Sequence, residues 1–220
     1  MIALEKNDLT RTFHDLGKEI IDTFGRPKAI LSLSAHWFTR GSHVQSSPFP
    51  LTERVLSLLP SADINDDWGI DHGSWTVLTH FFPDASIPVV QLSIDGKISP
   101  SASYDIGKAL SPLREEGYLI FGSGNIVHNL YKVEWNNEGG SPAADRFDAF
   151  IAEAVKKRDD EKVINYEDHD DAAYAAPTAD HFLPLLYTLG AAEGEKPLVF
   201  NQVRNLGSIS MTGYAFGLNS

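Results

Sequence analysis

Four histidines stand where metal or proton-transfer chemistry would want them: His36 in Ser-Ala-His-Trp-Phe, His72 in Asp-His-Gly-Ser-Trp, His128 in Gly-Asn-Ile-Val-His-Asn, and His181 in Ala-Asp-His-Phe-Leu-Pro-Leu-Leu. Each ends an apolar run or stands at the mouth of a helical one. Imidazole is the commonest neutral metal ligand and the side chain whose charge changes most readily near neutral pH, so several at such junctions predict one assembled site. A single histidine beside Trp37 and Phe38 is more often a hydrogen-bonded core residue, and the inference therefore rests on the group. His14, His43, His80 and His169 lack such settings. His169, among Glu167, Asp168, Asp170 and Asp171, reads as part of an exposed acidic loop. The chain has no cysteine, so any metal must be held by nitrogen and oxygen.

Two other patterns carry less. Gly122-Ser123-Gly124 has no following lysine and no full glycine fingerprint, and reads as a plain strand-to-loop turn. Asp71, His72 and Ser74 are too close in sequence to point at one another, and a Gly-x-Ser-x-Gly elbow is absent, so His72 reads as a residue that orients a helix start.

The elements that must position these residues alternate in type. Leu9, Phe13, Leu16, Ile20 and Phe24 recur at three- and four-residue spacing before Gly25 and Pro27, which predicts an amphipathic helix with a stop signal. Short apolar runs at 29–33, 87–94 and 118–121, separated by helical stretches, predict buried strands of a mainly parallel sheet. Helices are expected near 52–59, 73–82, 104–116, 144–158 and 178–189, with Pro112 and Pro184 making two of them irregular. The stretch 197–216 reads as additional strands near a sheet edge, 136–141 as a surface loop, and 156–162 as a solvated charge run. The fold class is thus α/β, a single domain over 1–220 with a central sheet flanked by helices. His36 and His128 follow strand ends, at the carboxyl edge where open α/β sheets bind ligands. His181 is expected in the first turn of a helix capped by Thr178.

Composition sets the frame around that scaffold. A chain of 220 residues with 42% apolar side chains buries one substantial core. No apolar stretch reaches the roughly 18 residues needed to cross a bilayer, and the first residues show no secretory pattern, so a cytoplasmic protein is expected. A formal charge of −12 repels phosphate backbones and anionic lipid, which argues against nucleic-acid and membrane partners.

Five segments together resemble the class III extradiol ring-cleavage dioxygenases, and within them the 4,5-DOPA extradiol dioxygenase-like branch. They are 34–38, 68–75, 88–94, 122–129 and 181–187, and they run in the family's order along nearly the whole chain. The resemblance implies one non-haem divalent metal, Fe(II) for catalysis or Zn(II) in its place, held largely by histidines. It makes His36 a metal ligand, His181 a ligand or its close neighbour, and His128 a ligand or the acid/base. His72 would contact the substrate and assist catalysis. The implied substrates are a small aromatic diol and O2, the ring opening beside the two hydroxyls as His128 takes up and returns a proton. Trp37, Phe38, Trp68 and Trp75 could wall an aromatic pocket, though core packing is an equal use of tryptophan.

The chain departs from the family pattern in two places. The family opens with a strand leading into Gly-His-Gly-Ser-Pro-Met, whose histidine is a metal ligand, whereas this sequence begins at what matches the closing methionine. A family loop between the counterparts of 46–48 and 51–53 also has no counterpart. The expectation is that both belong to the natural protein, because a lost sheet strand would expose a core face and leave ladder groups unpaired. Two other functions use the same histidines: a zinc-dependent hydrolase, and a non-enzymatic metal-binding or interaction protein of the same fold.

Overall fold

The computed structural model describes residues 5–46 and 50–218. Helix α1 (Asp8–Phe24) begins at Asn7, whose side chain accepts from Thr10 N while Thr10 returns the bond, and it ends at Gly25 as its sequence predicts. Strand β1 (Ile30–Thr39), the short β2 (His43–Val44), helix α2 (Pro50–Leu58), the short β3 (Asp63–Ile64) and helix α3 (His72–Phe81) follow. Next come β4 (Val89–Asp95), α4 (Pro100–Leu110), α5 (Pro112–Glu115) and β5 (Leu119–Ser123). The expected helix over 104–116 is therefore split, because Pro112 cannot continue the α4 ladder and instead opens a new turn. The rest comprises α6 (Pro142–Lys157), α7 (Asp160–Ile164), α8 (Ala172–Ala175), α9 (Leu183–Ala191), and the strands β6 (Leu198–Phe200), β7 (Arg204–Asn205), β8 (Ile209–Ser210) and β9 (Gly213–Ala215).

The central sheet has the order β3-β2-β4-β1-β5. All pairings in it are parallel except that of β2 with β4. Alternation along the strands sorts their side chains into two cores. Ile30, Val89, Leu119 and Phe121 pack with Leu16 of α1 and Leu78 and Phe81 of α3. Leu31, Leu33, Val90, Leu92 and Ile120 pack on the other face with α2, α4, α6 and α9. Helix α9 is apolar on every side and almost wholly buried, which suits a helix enclosed by other elements. The C-terminal strands pair among themselves as two antiparallel ribbons, β6 with β9 and β7 with β8.

Two boundaries differ from the sequence reading in ways that matter for the site. Strand β1 does not stop before His36. Its parallel register with β4 runs from Ile30↔Val89 to Leu33↔Leu92 and resumes at Phe38↔Ile94, so five steps of β1 oppose two of β4. His36 sits in that bulge, where a strand bends and re-aims a side chain. Helix α9 starts at Leu183, and Thr178 does not cap it; His181 lies in the preceding turn, closed by Phe182 and Leu183 N–H bonds to Ala179 O. The expected counterparts of the family's opening motif and loop fall at Met1 and at 47–49, outside the described residues, and Pro50 and Leu51 follow one another as the first residues of α2. Among the described residues no helix is long and apolar enough to cross a membrane.

Candidate active site

Four imidazoles meet above the carboxyl ends of β1 and β5. The His36 ring centre lies 4.1 Å from that of His72 and 5.3 Å from that of His181, while His128 and His181 stack in parallel at 3.5 Å and 5°. The ring contacts that join this cluster involve none of His14, His43, His80 and His169. His169 instead packs its ring on Phe150 and Phe147, so it is less exposed than its acidic neighbours led us to expect.

Small residues let these elements approach. On the α3 side of β1, Ser32 Oγ and Ser74 Oγ share a buried 2.8 Å hydrogen bond, and Ser34 Oγ donates to Asp71 Oδ1 at 2.8 Å. A Cβ at Gly73 would fall 2.5 Å from His36 Nδ1 and 2.9 Å from Ser34 Oγ, so only glycine fits the start of α3 against the bulge. A Cβ at Gly124 would fall 2.2 Å from His181 O. Gly124, just after β5, thus seats the His181 turn, and Ser123 Oγ donates to Gly73 O at 2.7 Å.

Asp71 organises the His36 side. Its Oδ1 accepts from Ser34 Oγ and from Gly73 N and Ser74 N as the N-cap of α3, and its Oδ2 accepts from Gln91 Nε2 at 2.9 Å and Trp68 Nε1 at 3.2 Å. The helix start is therefore oriented by Asp71 rather than by His72. Burial by itself would raise the Asp71 pKa, but His36 beside it and the bonds from Gln91, Ser34 and Trp68 hold it well below the carboxylate range. His36 Nδ1 stands 3.7 Å from Asp71 Oδ1, beyond hydrogen-bond length, and is buried with no partner. Across the site His181 Nδ1 bonds Asp180 Oδ2 at 2.7 Å. Burial opposes ionisation of Asp180 as well, and bonds from His181 and Thr178 outweigh it, lowering its pKa. Neither carboxylate was assigned a role from sequence, although each directly precedes a site histidine.

His128 is pushed down to about 4, first by burial and then by the neighbouring His181 and His36, against an opposing pull from Asp180. That is below the near-neutral value sought for an acid/base, because the site is too crowded with imidazoles to welcome another charge. The neutral ring is also the form that accepts a proton or binds a metal. Trp75 is 42% and Trp68 38% exposed at the rim of the site, with Phe38 also open, whereas Trp37 is 5% exposed beside His36 in β1.

A divalent metal fits these residues by donor chemistry: several imidazole nitrogens converge, and the buried His36 Nδ1 lacks a partner. Among the described residues no group of three or more histidine, aspartate or glutamate side chains stands in a metal-holding arrangement.

Known proteins bear on this geometry. Residues 42–217 match the family model described as the catalytic LigB subunit of aromatic ring-opening dioxygenase. The chain is 35% identical over 250 residues to the 4,5-DOPA dioxygenase extradiol of Escherichia coli (strain K12), covering 99% of this chain and 91% of that protein. Those 250 positions exceed the 220 residues of the chain, so the alignment includes positions to which this chain contributes nothing. Identity to the 4,5-DOPA dioxygenase extradiol of Beta vulgaris is 31% over 248 residues, covering 98% and 92%. A crystal structure of an uncharacterized protein from Escherichia coli K12 superposes with a TM-score of 0.87 at 37% identity, covering 97% of this chain and 94% of that one.

Proposed function

The chain belongs to the family of the catalytic LigB subunit of aromatic ring-opening dioxygenases, and on that premise we propose that it opens a DOPA-like catechol with O2 at a divalent metal. Its activity class is extradiol ring cleavage, the class of its relatives. The observation that carries the finer reading is the convergence of His36, His72, His128 and His181 from four separate segments onto one site.

His36 and His181 would hold the metal, with His128 as a further ligand or as the acid/base. Fe(II) is the ion proposed for turnover, with Zn(II) able to occupy the same nitrogens. When bound, the metal supplies one centre at which the diol oxygens and O2 meet. Asp180 holds the His181 ring by its Nδ1, leaving the other nitrogen free. His128, kept neutral by burial and its imidazole neighbours, takes a hydroxyl proton from the diol and returns it as the ring opens. His72, its ring tilted against that of His36 at the start of α3, orients the substrate, and the exposed Trp75 supplies an aromatic wall. Trp37, buried and next to His36 in β1, is proposed as backing for that wall.

The test is anaerobic reconstitution of the intact gene product with Fe(II), then DOPA or catechol in air, recording oxygen uptake and a yellow semialdehyde. Stoichiometric uptake with product is expected. Metal binding with no uptake across a panel of catechols would sink the substrate assignment.

A further inference from the structure

We infer that Asp148 and Ser210 are positioning residues that keep the stacked His128 and His181 rings in register from beneath the site. The inference deepens the reading above and rests on it for its catalytic consequence. Nothing in the sequence motifs singled out either residue.

Asp148 lies on α6 with a side chain 2% exposed. A carboxylate is kept in such a place only when its lone pairs are matched by donors. It accepts from Ser210 Oγ at 2.5 Å, Thr212 Oγ1 at 2.9 Å and Arg204 Nη1 at 3.1 Å. Arg204 and Ser210 face each other across β7 and β8, so one carboxylate pins both strands of that ribbon at the same step.

Ser210 passes the anchorage on. Its N–H donates to Val127 O at 2.9 Å, and its carbonyl accepts from Asn125 Nδ2 at 2.7 Å. Asn129 N donates to Ser208 O at 3.0 Å, so the backbone is held to the ribbon on both sides of His128. The Asn125 N–H donates to His181 O at 2.9 Å. One buried residue therefore connects the Asp148 carboxylate to the segment carrying His128 and, through Asn125, to the turn carrying His181. Two rings stacked at 3.5 Å depend on that shared anchor for their mutual register.

The plainer account is that the network merely staples the ribbon to α6. Asp145 separates the two accounts, because it binds the same Arg204 at 3.0 Å from a more exposed position and has no bond to Ser210 or to the 125–129 segment.

The experiment compares Ser210→Ala, Asp148→Asn and Asp145→Asn in the full chain. Histidine ring signals are recorded by NMR after chelator treatment and assigned with His128→Ala and His181→Ala. Steady-state kinetics follow Fe(II) reconstitution, with catechol as the probe. Ser210→Ala and Asp148→Asn are expected to lose the ring-current displacement of the His128 and His181 signals. They should also lower kcat by about 10- to 100-fold, the scale of a small misplacement of reacting groups, with KM little changed. Asp145→Asn should match the parent in both. Ring signals unmoved in Ser210→Ala, which removes a single oxygen and should fold, would overturn the proposal, as would equal losses in Asp145→Asn. If the parent chain proves no more active than His128→Ala, the acid/base role of His128 fails, and the ring signals still decide the positioning.

Discussion

A single oxygen of Asp71 caps a helix, receives Ser34 and faces His36, while its other oxygen holds Gln91 and Trp68; at this scale the site is a set of shared acceptors. Removing different histidines should therefore produce different failures. His36→Ala should abolish metal binding, read as metal content after dialysis. His128→Ala should retain some metal and lose ring opening by about 10²–10⁴-fold, the range of a lost acid/base. His14→Ala should be silent in both assays. In metal-free protein, His128 has its pKa near 4 against an ordinary 6.5, so between those values the unfolded chain binds a proton that the folded chain excludes. Stability is then full above the upper value and falls as pH drops toward the lower one. Denaturant midpoints across that window should fall more for the parent than for His128→Ala. The four histidines were legible because each follows an apolar run or precedes a helical pattern in the sequence. The carboxylates behind them, and Ser210, were not, since their roles arise from contacts between segments far apart in sequence.

Elements meet this closely only where side chains are absent. A Cβ at Gly107 of α4 would lie 2.1 Å from Tyr187 O, and one at Gly190 of α9 would lie 2.2 Å from Tyr104 O, so the two helices touch backbone to backbone. Gly107→Ala should cost about 1–3 kcal/mol by overpacking, a fall in Tm of roughly 2–12 °C for a chain this size. Gly69→Ala, where an added Cβ meets nothing within 4 Å, should stay within about 0.5 kcal/mol. Thermal melts of the two variants check both values. Apolar runs and periodicity located β1, β4, β5 and the long helices, but not β2 and β3, whose two residues each leave no repeating mark. They could not show the bulge at His36, where extra residues preserve an apolar appearance while breaking register. Nor could they show that His181 precedes α9, because Thr178 resembles a cap while the chain is still turning through Ala179 and Phe182.

For the whole molecule, the formal charge of −12 acts on substrates before any contact forms. A carboxylate-bearing catechol should show a KM that decreases as ionic strength rises and the repulsion is screened, whereas an uncharged catechol should show no such trend. Initial rates over a salt series check this. The overall α/β plan was legible from alternating patterns. The pairing of β7 and β8 beneath the site was not, because strands of two residues leave no pattern to read.

The tie from Ser210 to the His128 segment also orders events in time. The site draws on residues from His36 to Ser210, so the chain must close loops spanning most of its length before the histidines are fixed, and such long-range closure is the slow part of folding. A nascent chain ending before Arg204 already carries all four histidines and lacks the ribbon that registers two of them. Under the proposed function, metal capture would then follow synthesis of the last strands, and a partly made chain would carry the proposed ligands without a site.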